Sequence, residues 1–303
     1  ALLNGDPARL WLAKGDASHG YPIHSLVIRG RDKAGQPQTR YAYLLWSHTA
    51  GRFEECSMYP NPFAVTGGEA GRDWIYEEES HTLRILSNQV TAIAGGSGTD
   101  ANQLPFSGRI ALADAIGGLE LALGGVVCRV PAGRAFDLGR ENDVTLVLQS
   151  GTDNLFESGA GCAGISVGEG ACLHIDCADR SGMPEGRLSA TGRAGGAGIG
   201  RDSGAGRDRS CQIFIRSGVI TASGSGGGAG IGAGKWGAMG PVTILGGTVT
   251  STGGSGGGAG IGGALGAPVG DIHIQGGRIT ASAIYHAAAI GAGVQGECGE
   301  IRI

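Results

Sequence analysis

Proline is scarce, 10 residues in 303, and the glycines do not recur at every third position, which together exclude a collagen triple helix. Long apolar runs are missing as well. Nothing approaches the roughly 20 residues of a membrane-crossing helix, so no membrane span is expected. Excess positive charge is also lacking: 23 Lys and Arg against 27 Asp and Glu give a formal net charge of -4. That leaves no basic footprint to hold a polyanion, and nucleic acid is not an expected partner. The seven cysteines (Cys56, Cys128, Cys162, Cys172, Cys177, Cys211 and Cys298) include no C-x-x-C pair and no Cys/His cluster at zinc spacing, so a metal held by cysteine is not expected. They are expected to be small buried hydrophobes, with one or two disulfides as the alternative. The opening ALLNGDPARLWLAKGD lacks the basic-then-apolar order of a signal peptide, and the chain starts on Ala1, as a processed protein or a fragment would.

What is abundant is glycine, 62 residues, beside a hydrophobic fraction of 41%. A disordered low-complexity chain would not carry that many apolar residues. The nonamer GSGGGAGIG occurs at 224–232 and again at 254–262. Its core AGIG also ends at Gly200, and AGIS at Ala163 and AAIG at Ala288 are variants. The marker residues are Ile165, Ile199, Ile231, Ile261 and Ile290, a period of about 30 residues. Between markers run IFIRSGVITAS, VTILGGTVTST and IHIQGGRITAS, each two short alternating strands around a Ser-Gly or Gly-Gly bend.

Three short strands per 30-residue unit, with glycine at the corners, predict an all-β chain: a right-handed parallel β-helix over 64–303. Period-2 alternation turns Ile213, Ile215, Val242, Ile244, Ile272 and Ile274 inward on the first strand, and Ile220, Val249 and Ile279 inward on the second. Ile199, Ile231, Ile261 and Ile290 should stack on the third. Upstream, VTLVLQSGTDNLFES and CLHIDC continue the coils with less glycine, and DWIYEEESHTLRILS is expected to begin the helix as two strands around a polar turn. Residues 1–63 form a separate small β region, in which YPIHSLVIRGRD and RYAYLLWSH flank the turn KAGQPQ as an antiparallel hairpin. A flexible linker would not hold one isoleucine in phase five times. A Walker A loop fails because Trp236 follows Lys235 where Ser or Thr is needed, and no G-x-G-x-x-G stands between a strand and a helix.

The candidate binding residues are those that break the pattern. Trp236, beside Lys235 in GKWGAMGP, offers an indole to stack on a sugar ring, and Tyr285 with His286 put bulk where earlier coils have glycine. Asp202 and Asp208 share the loop GRDSGAGRDRS, and Asp271 stacks with Glu300 one coil on. Such carboxylates serve as acid and base, bind calcium, or simply pair with Arg201, Arg207 and Arg209. His174 and His273 lie three coils apart and cannot share a site, and Cys172-Leu-His174 reads as strand alternation rather than as a nucleophile pair. No catalytic constellation is visible, and no cofactor other than Ca²⁺ is considered.

The order AVTGGEAGRDWIYEEESHTLRILS, LVLQSGTDNLF, AGISV and then coils of the form GGAGIG and VTILGGTVTSTGG resembles large secreted or surface β-helix proteins of gut-type and other anaerobic bacteria, described as carbohydrate-binding-domain or adhesin-like. The resemblance covers roughly residues 64–303. It implies an extracellular location and, in some relatives, binding of acidic polysaccharide or cell wall. The expected function is a non-enzymatic extracellular interaction or structural module for a carbohydrate or cell-surface polymer. The alternative is a polysaccharide lyase or glycoside hydrolase working on one β-helix face. The final GEIRI enters a first strand and leaves its edge open, so continuation of the stack or self-association into multimers is also expected.

Overall fold

The computed structural model describes residues 57–100, 104–178 and 183–303, together with the backbone of strands Arg9–Ala13, Ile23–Arg31, Pro37–Ser47 and Arg52–Cys56. The chain divides into two compact units, one of residues 1–61 and 98–106, the other of 62–97 and 107–303. In the first unit the four N-terminal strands form an antiparallel meander. Its central pair, with Ile23 opposite Leu45 and Arg31 opposite Pro37, is the hairpin expected from the sequence. Its turn lies outside the described residues.

The second unit is a parallel β-solenoid of about 7 turns, without helix among the described residues. Each regular coil contributes to three sheets in turn. In sheet 1, Asp143–Leu148, Cys172–Cys177, Gln212–Ile215, Val242–Ile244 and Ile272–Ile274 stack in order. In sheet 2 the rungs include Asp153–Ala160, Arg187–Arg193, Val219–Ser223, Thr248–Thr252 and Arg278–Ser282. Sheet 3 stacks Thr82–Ile85, Arg109–Leu112, Phe136–Asp137, Ile165–Ser166, Ile199–Gly200, Ile231–Gly232, Ile261–Gly262 and Ile290–Gly291. In an early coil the strand Leu119–Arg129 runs without a break through sheets 1 and 2.

The alternation of each strand decides what enters the core. Leu83, Ile110, Phe136, Ile165, Ile199, Ile231 and Ile261 follow one another in register on sheet 3, all fully buried. Ile213, Val242 and Ile272 do the same on sheet 1, and Ile220 and Val249 on sheet 2. Ala197, Ala229 and Ala259 are buried at the narrow corner that leads into sheet 3. Two buried asparagines close earlier corners. Asn154 Oδ1 accepts from the Gly125 and Val126 amides at 3.1 and 2.9 Å while its Nδ2 donates to the Arg187 carbonyl at 3.1 Å, tying three coils together. Asn142 links the Ile116 amide with the Ala113 and Leu138 carbonyls in the same manner.

The column after the sheet 3 isoleucines is Gly200, Gly232, Gly262 and Gly291, with φ between +131 and +139°. A Cβ on Gly232 would meet the Gly262 carbonyl oxygen at 2.1 Å, backbone that has nowhere to move. The stack begins on two antiparallel strands: Phe63–Gly67 pairs with Val90–Gly95, and Trp74–Glu77 pairs with Thr82–Ile85 around the polar turn expected there. Asp73 holds that opening turn. Its Oδ2 accepts from the Glu69 amide and the Arg72 guanidinium, each at 2.8 Å, and its Oδ1 accepts from Ser87 Oγ at 2.7 Å.

Ile231→Ala should cost about 2–5 kcal/mol by opening a cavity in the column, and Gly232→Ala at least about 2 kcal/mol through clash and strain, both read as lowered thermal midpoints. Hydrogen bonds from Arg72 and Ser87 hold the Asp73 carboxyl down from 3.8 to about 2. A depressed folded-state value gives stability that is present above the unfolded pKa and lost as pH falls. The melting-temperature gap between the parent and Asp73→Asn should therefore be widest above about pH 4 and close toward about pH 2.

Candidate functional site: an open groove on sheet 3 and a polar cluster on sheet 1

On the outer face of sheet 3 the position beside the core column is Arg84, Ala111, Asp137, Ser166 and then Gly200, in register. In the early coils the connection from sheet 3 to sheet 1 is short, from Asp137 to Asp143 and from Ser166 to Cys172, and leaves this floor open. From Gly200 onward the connection is longer and folds back over sheet 3. Its amides reach the turn between sheets 2 and 3 of the neighbouring coil: Ser203 to Gly161, Lys235 to Gly195, Leu265 to Gly227 and Val294 to Gly257, at 2.7–2.8 Å. The glycine column itself follows from the stack, because a Cβ on Gly200, Gly232 or Gly262 would meet the carbonyl oxygen of the next glycine in the column at 1.9–2.1 Å.

The uncovered floor forms a cleft of about 380 Å³ walled at one end by Arg201, Asp202 and Ala205. Arg134 spans it, with Nη1 2.6 Å from Asp137 Oδ2 and Nε 2.6 Å from Asp202 Oδ2. The other Asp202 oxygen accepts the Ala163 amide at 2.7 Å. Burial works against the Arg134 charge, but Asp202 and Asp137 outweigh it and drive its pKa further up. Arg201 is only 3% exposed, and its Nη1 and Nη2 donate to the Val167 and Ala205 carbonyls at 2.9 and 2.8 Å. Arg140 meets Glu169 at 2.5 Å on the solvent side. Guanidinium and carboxylate groups alternate along the groove, so it offers planar donors and strong acceptors on a rigid floor rather than a field of one sign.

Of the residues expected from sequence, Asp202 is the one that enters this groove. Asp208 is exposed and accepts from the amide and hydroxyl of Ser210 at 2.7 and 2.5 Å, which hold its carboxyl below the ordinary value. Asp271 stacks beneath Glu300 as expected, but its Oδ1 accepts the Glu300 amide at 2.8 Å and so caps the next coil. Asp202, Asp208 and Asp271 do not gather into one group of metal-ligating side chains. The Trp236 indole is half exposed and lies against Gly266 of the next coil, where a Cβ would meet the ring at 1.8 Å. Lys235 beside it is half-buried. Tyr285, 67% exposed, makes an edge contact with His286 at 4.6 Å. That pair belongs to the connection between sheets 2 and 3, whereas Trp236 belongs to the connection between sheets 3 and 1, on an earlier coil. The aromatic candidates therefore stand on different connections and different coils.

Sheet 1 carries a second constellation, made by register. Asp143 pairs with Cys172, and His174 stands between Thr145 and Phe214. Alternation turns Leu173 and Ile175 inward and sends Cys172 and His174 outward together. Cys172 Sγ lies 3.1 Å from His174 Nε2, which lies 3.4 Å from Asp143 Oδ1. The imidazole is stacked on Phe214, centroids 4.8 Å apart and planes 13° from parallel, and its Nδ1 is buried without a hydrogen-bond partner. Burial, helped by Asp143, pushes the Cys172 thiol up to about 11. Burial and then Arg216 push His174 down, against the pull of Asp143. At neutral pH this is a thiol beside a neutral imidazole, not an activated thiolate. His273 lies three rungs along the same column from His174, as the period requires.

The sequence reading missed the groove because its floor comes from coils without the AGIG signature. The signal was there in the residue after each column position: Arg84 after Leu83, Asp137 after Phe136. It missed Asp143 because only coil-to-coil alignment of NDVTLVL with ACLHIDC sets that carboxylate beside Cys172. Six cysteines, Cys128, Cys162, Cys172, Cys177, Cys211 and Cys298, are unpaired, which excludes disulfides among the described residues, and Cys128 and Cys211 are the buried ones. Cys56 has its side chain outside the described set. No family model, no curated protein and no solved structure matches this chain.

Arg134→Ala should leave Asp137 and Asp202 facing each other unpaired and lower the melting temperature by several degrees. Arg140→Ala, whose pair with Glu169 is solvent-screened, should change it by no more than about one degree.

Proposed function

We propose that the protein is an extracellular β-helical interaction module that binds glycan in the groove on sheet 3. One observation carries the reading: Arg84, Arg134, Arg140, Asp114, Asp137, Glu169 and Asp202 line an open cleft whose floor is fixed by the coil spacing. Alternating forks and carboxylates on a rigid sheet match a ligand rich in hydroxyl groups with occasional carboxylates, since each hydroxyl both donates and accepts. The exposed Trp236 indole adds a stacking surface on the layer that covers sheet 3 beyond the groove, suited to a polymer longer than the groove. The resemblance of residues 64–303 to adhesin-like β-helix proteins supports the extracellular location.

The test is binding of the full chain to uronate-containing and neutral oligosaccharides, followed by calorimetry and by chromatography of the sugars. Micromolar to millimolar binding, weakened about tenfold or more by Arg140→Ala without loss of fold, is the expected result. Binding indifferent to Arg140 would remove the groove from the reading. Shortened sugar products would replace it with a lyase or hydrolase.

A further inference from the structure

We infer that Asp143, Cys172 and His174 form a binding site for a divalent cation of the zinc class. Among the described residues this is the one group of three whose Cys sulfur, His nitrogen and carboxylate oxygen all lie within 4.8 Å of one another. An ion with bonds of about 2.0–2.3 Å in a tetrahedron holds its donors roughly 3.3–3.6 Å apart. The observed 3.1 and 3.4 Å separations lie close to that spacing, and rotation of the exposed Asp143 side chain, whose donor lies within 4.8 Å of Cys172 Sγ, completes it. The donor chemistry selects the ion: thiolate with imidazole is the ligand set of zinc, whereas magnesium and calcium require oxygen.

The fold supplies the rest of the site. Cys172 and His174 are fixed two apart on one strand, so their side chains leave the same face, and the parallel register brings Asp143 alongside from the preceding coil. Phe214, stacked on the imidazole from the following coil, limits rotation of the ring. The Asp143 side chain is 63% exposed and opens the site to solvent, so the fourth position falls to water or an incoming ligand. The buried Nδ1 sets the strength. Coordination through Nε2 moves the imidazole proton to Nδ1, where it meets no acceptor. Absence of that outer hydrogen bond weakens metal sites by about ten- to a hundredfold, which sets this one below fully supported structural zinc sites. Binding releases the Cys172 proton to solvent, and no redox change is involved.

The experiment uses the full, reduced chain. Zn²⁺ titration by calorimetry should give about one equivalent per chain, and Co²⁺ should give the visible bands of a tetrahedral ion with a thiolate-to-cobalt charge-transfer band in the near ultraviolet. Cys172→Ser should abolish the charge-transfer band. Asp143→Asn, an exposed change that leaves the fold intact, should weaken Zn²⁺ binding about tenfold or more, whereas Cys162→Ser should leave it unchanged. Absence of Zn²⁺ binding overturns the inference, as does a charge-transfer band that survives Cys172→Ser or an affinity untouched by Asp143→Asn. If Cys172→Ser fails to fold, as judged by circular dichroism, the Asp143→Asn comparison decides alone.

Discussion

Parallel, in-register hydrogen bonding between coils is the interaction on which everything else here depends. Each rung donates and accepts along its length to the next, as Ile199 to Gly230 and Ile231 to Gly260 at 3.0 Å each. Strands so paired stand ~4.8 Å apart, and every residue sits directly above its equivalent. A slip of one residue would turn each isoleucine of the core out to water. The near-identical repeats are the consequence: whatever fits the interior once fits it again, and Ile231 and Ile261 occupy equivalent places within equivalent nonamers.

The same constraint makes the surface functional. Outward residues also form columns, so a polar side chain on one coil faces one from the next whether or not the two are near in sequence. On sheet 2 the columns are hydroxyl-rich, Thr221, Thr250 and Thr280 exposed in register. On sheet 1 they gather a carboxylate, a thiol and an imidazole. On sheet 3 they lay down the groove floor, and the length of one connection determines whether that floor is open. Short connections near Asp137 and Ser166 leave it free, while the longer ones carrying Lys235 and Leu265 fold over it.

Buried polar groups appear where the regular ladder is interrupted. Asn154 and Asn142 satisfy amides and carbonyls that a corner leaves without partners, and Ser251 Oγ donates to the Gly260 carbonyl at 2.6 Å. Arg201 does the same for two carbonyls at the end of the groove. A groove wall held by backbone hydrogen bonds keeps its shape when the exposed Arg140 and Glu169 side chains are solvated or engaged.

The sequence by itself determined the period, the three strands in each unit, the inward isoleucines and the two opening strands around a polar turn within residues 73–87, because these rest on local alternation and on turn residues at fixed offsets. It also marked the loops that break the pattern. Only the tertiary structure decided which of those residues meet. Asp202 joins Arg134 and Asp137 across two coils, while Asp208 and Asp271 spend their carboxylates on neighbouring amides. Asp143 comes beside Cys172 and His174 because the coil register, not proximity along the chain, sets lateral neighbours. A periodic sequence declares what each column holds on average. The contacts at a site depend on which coil lies next to which, and on where a connection is short enough to leave the face uncovered.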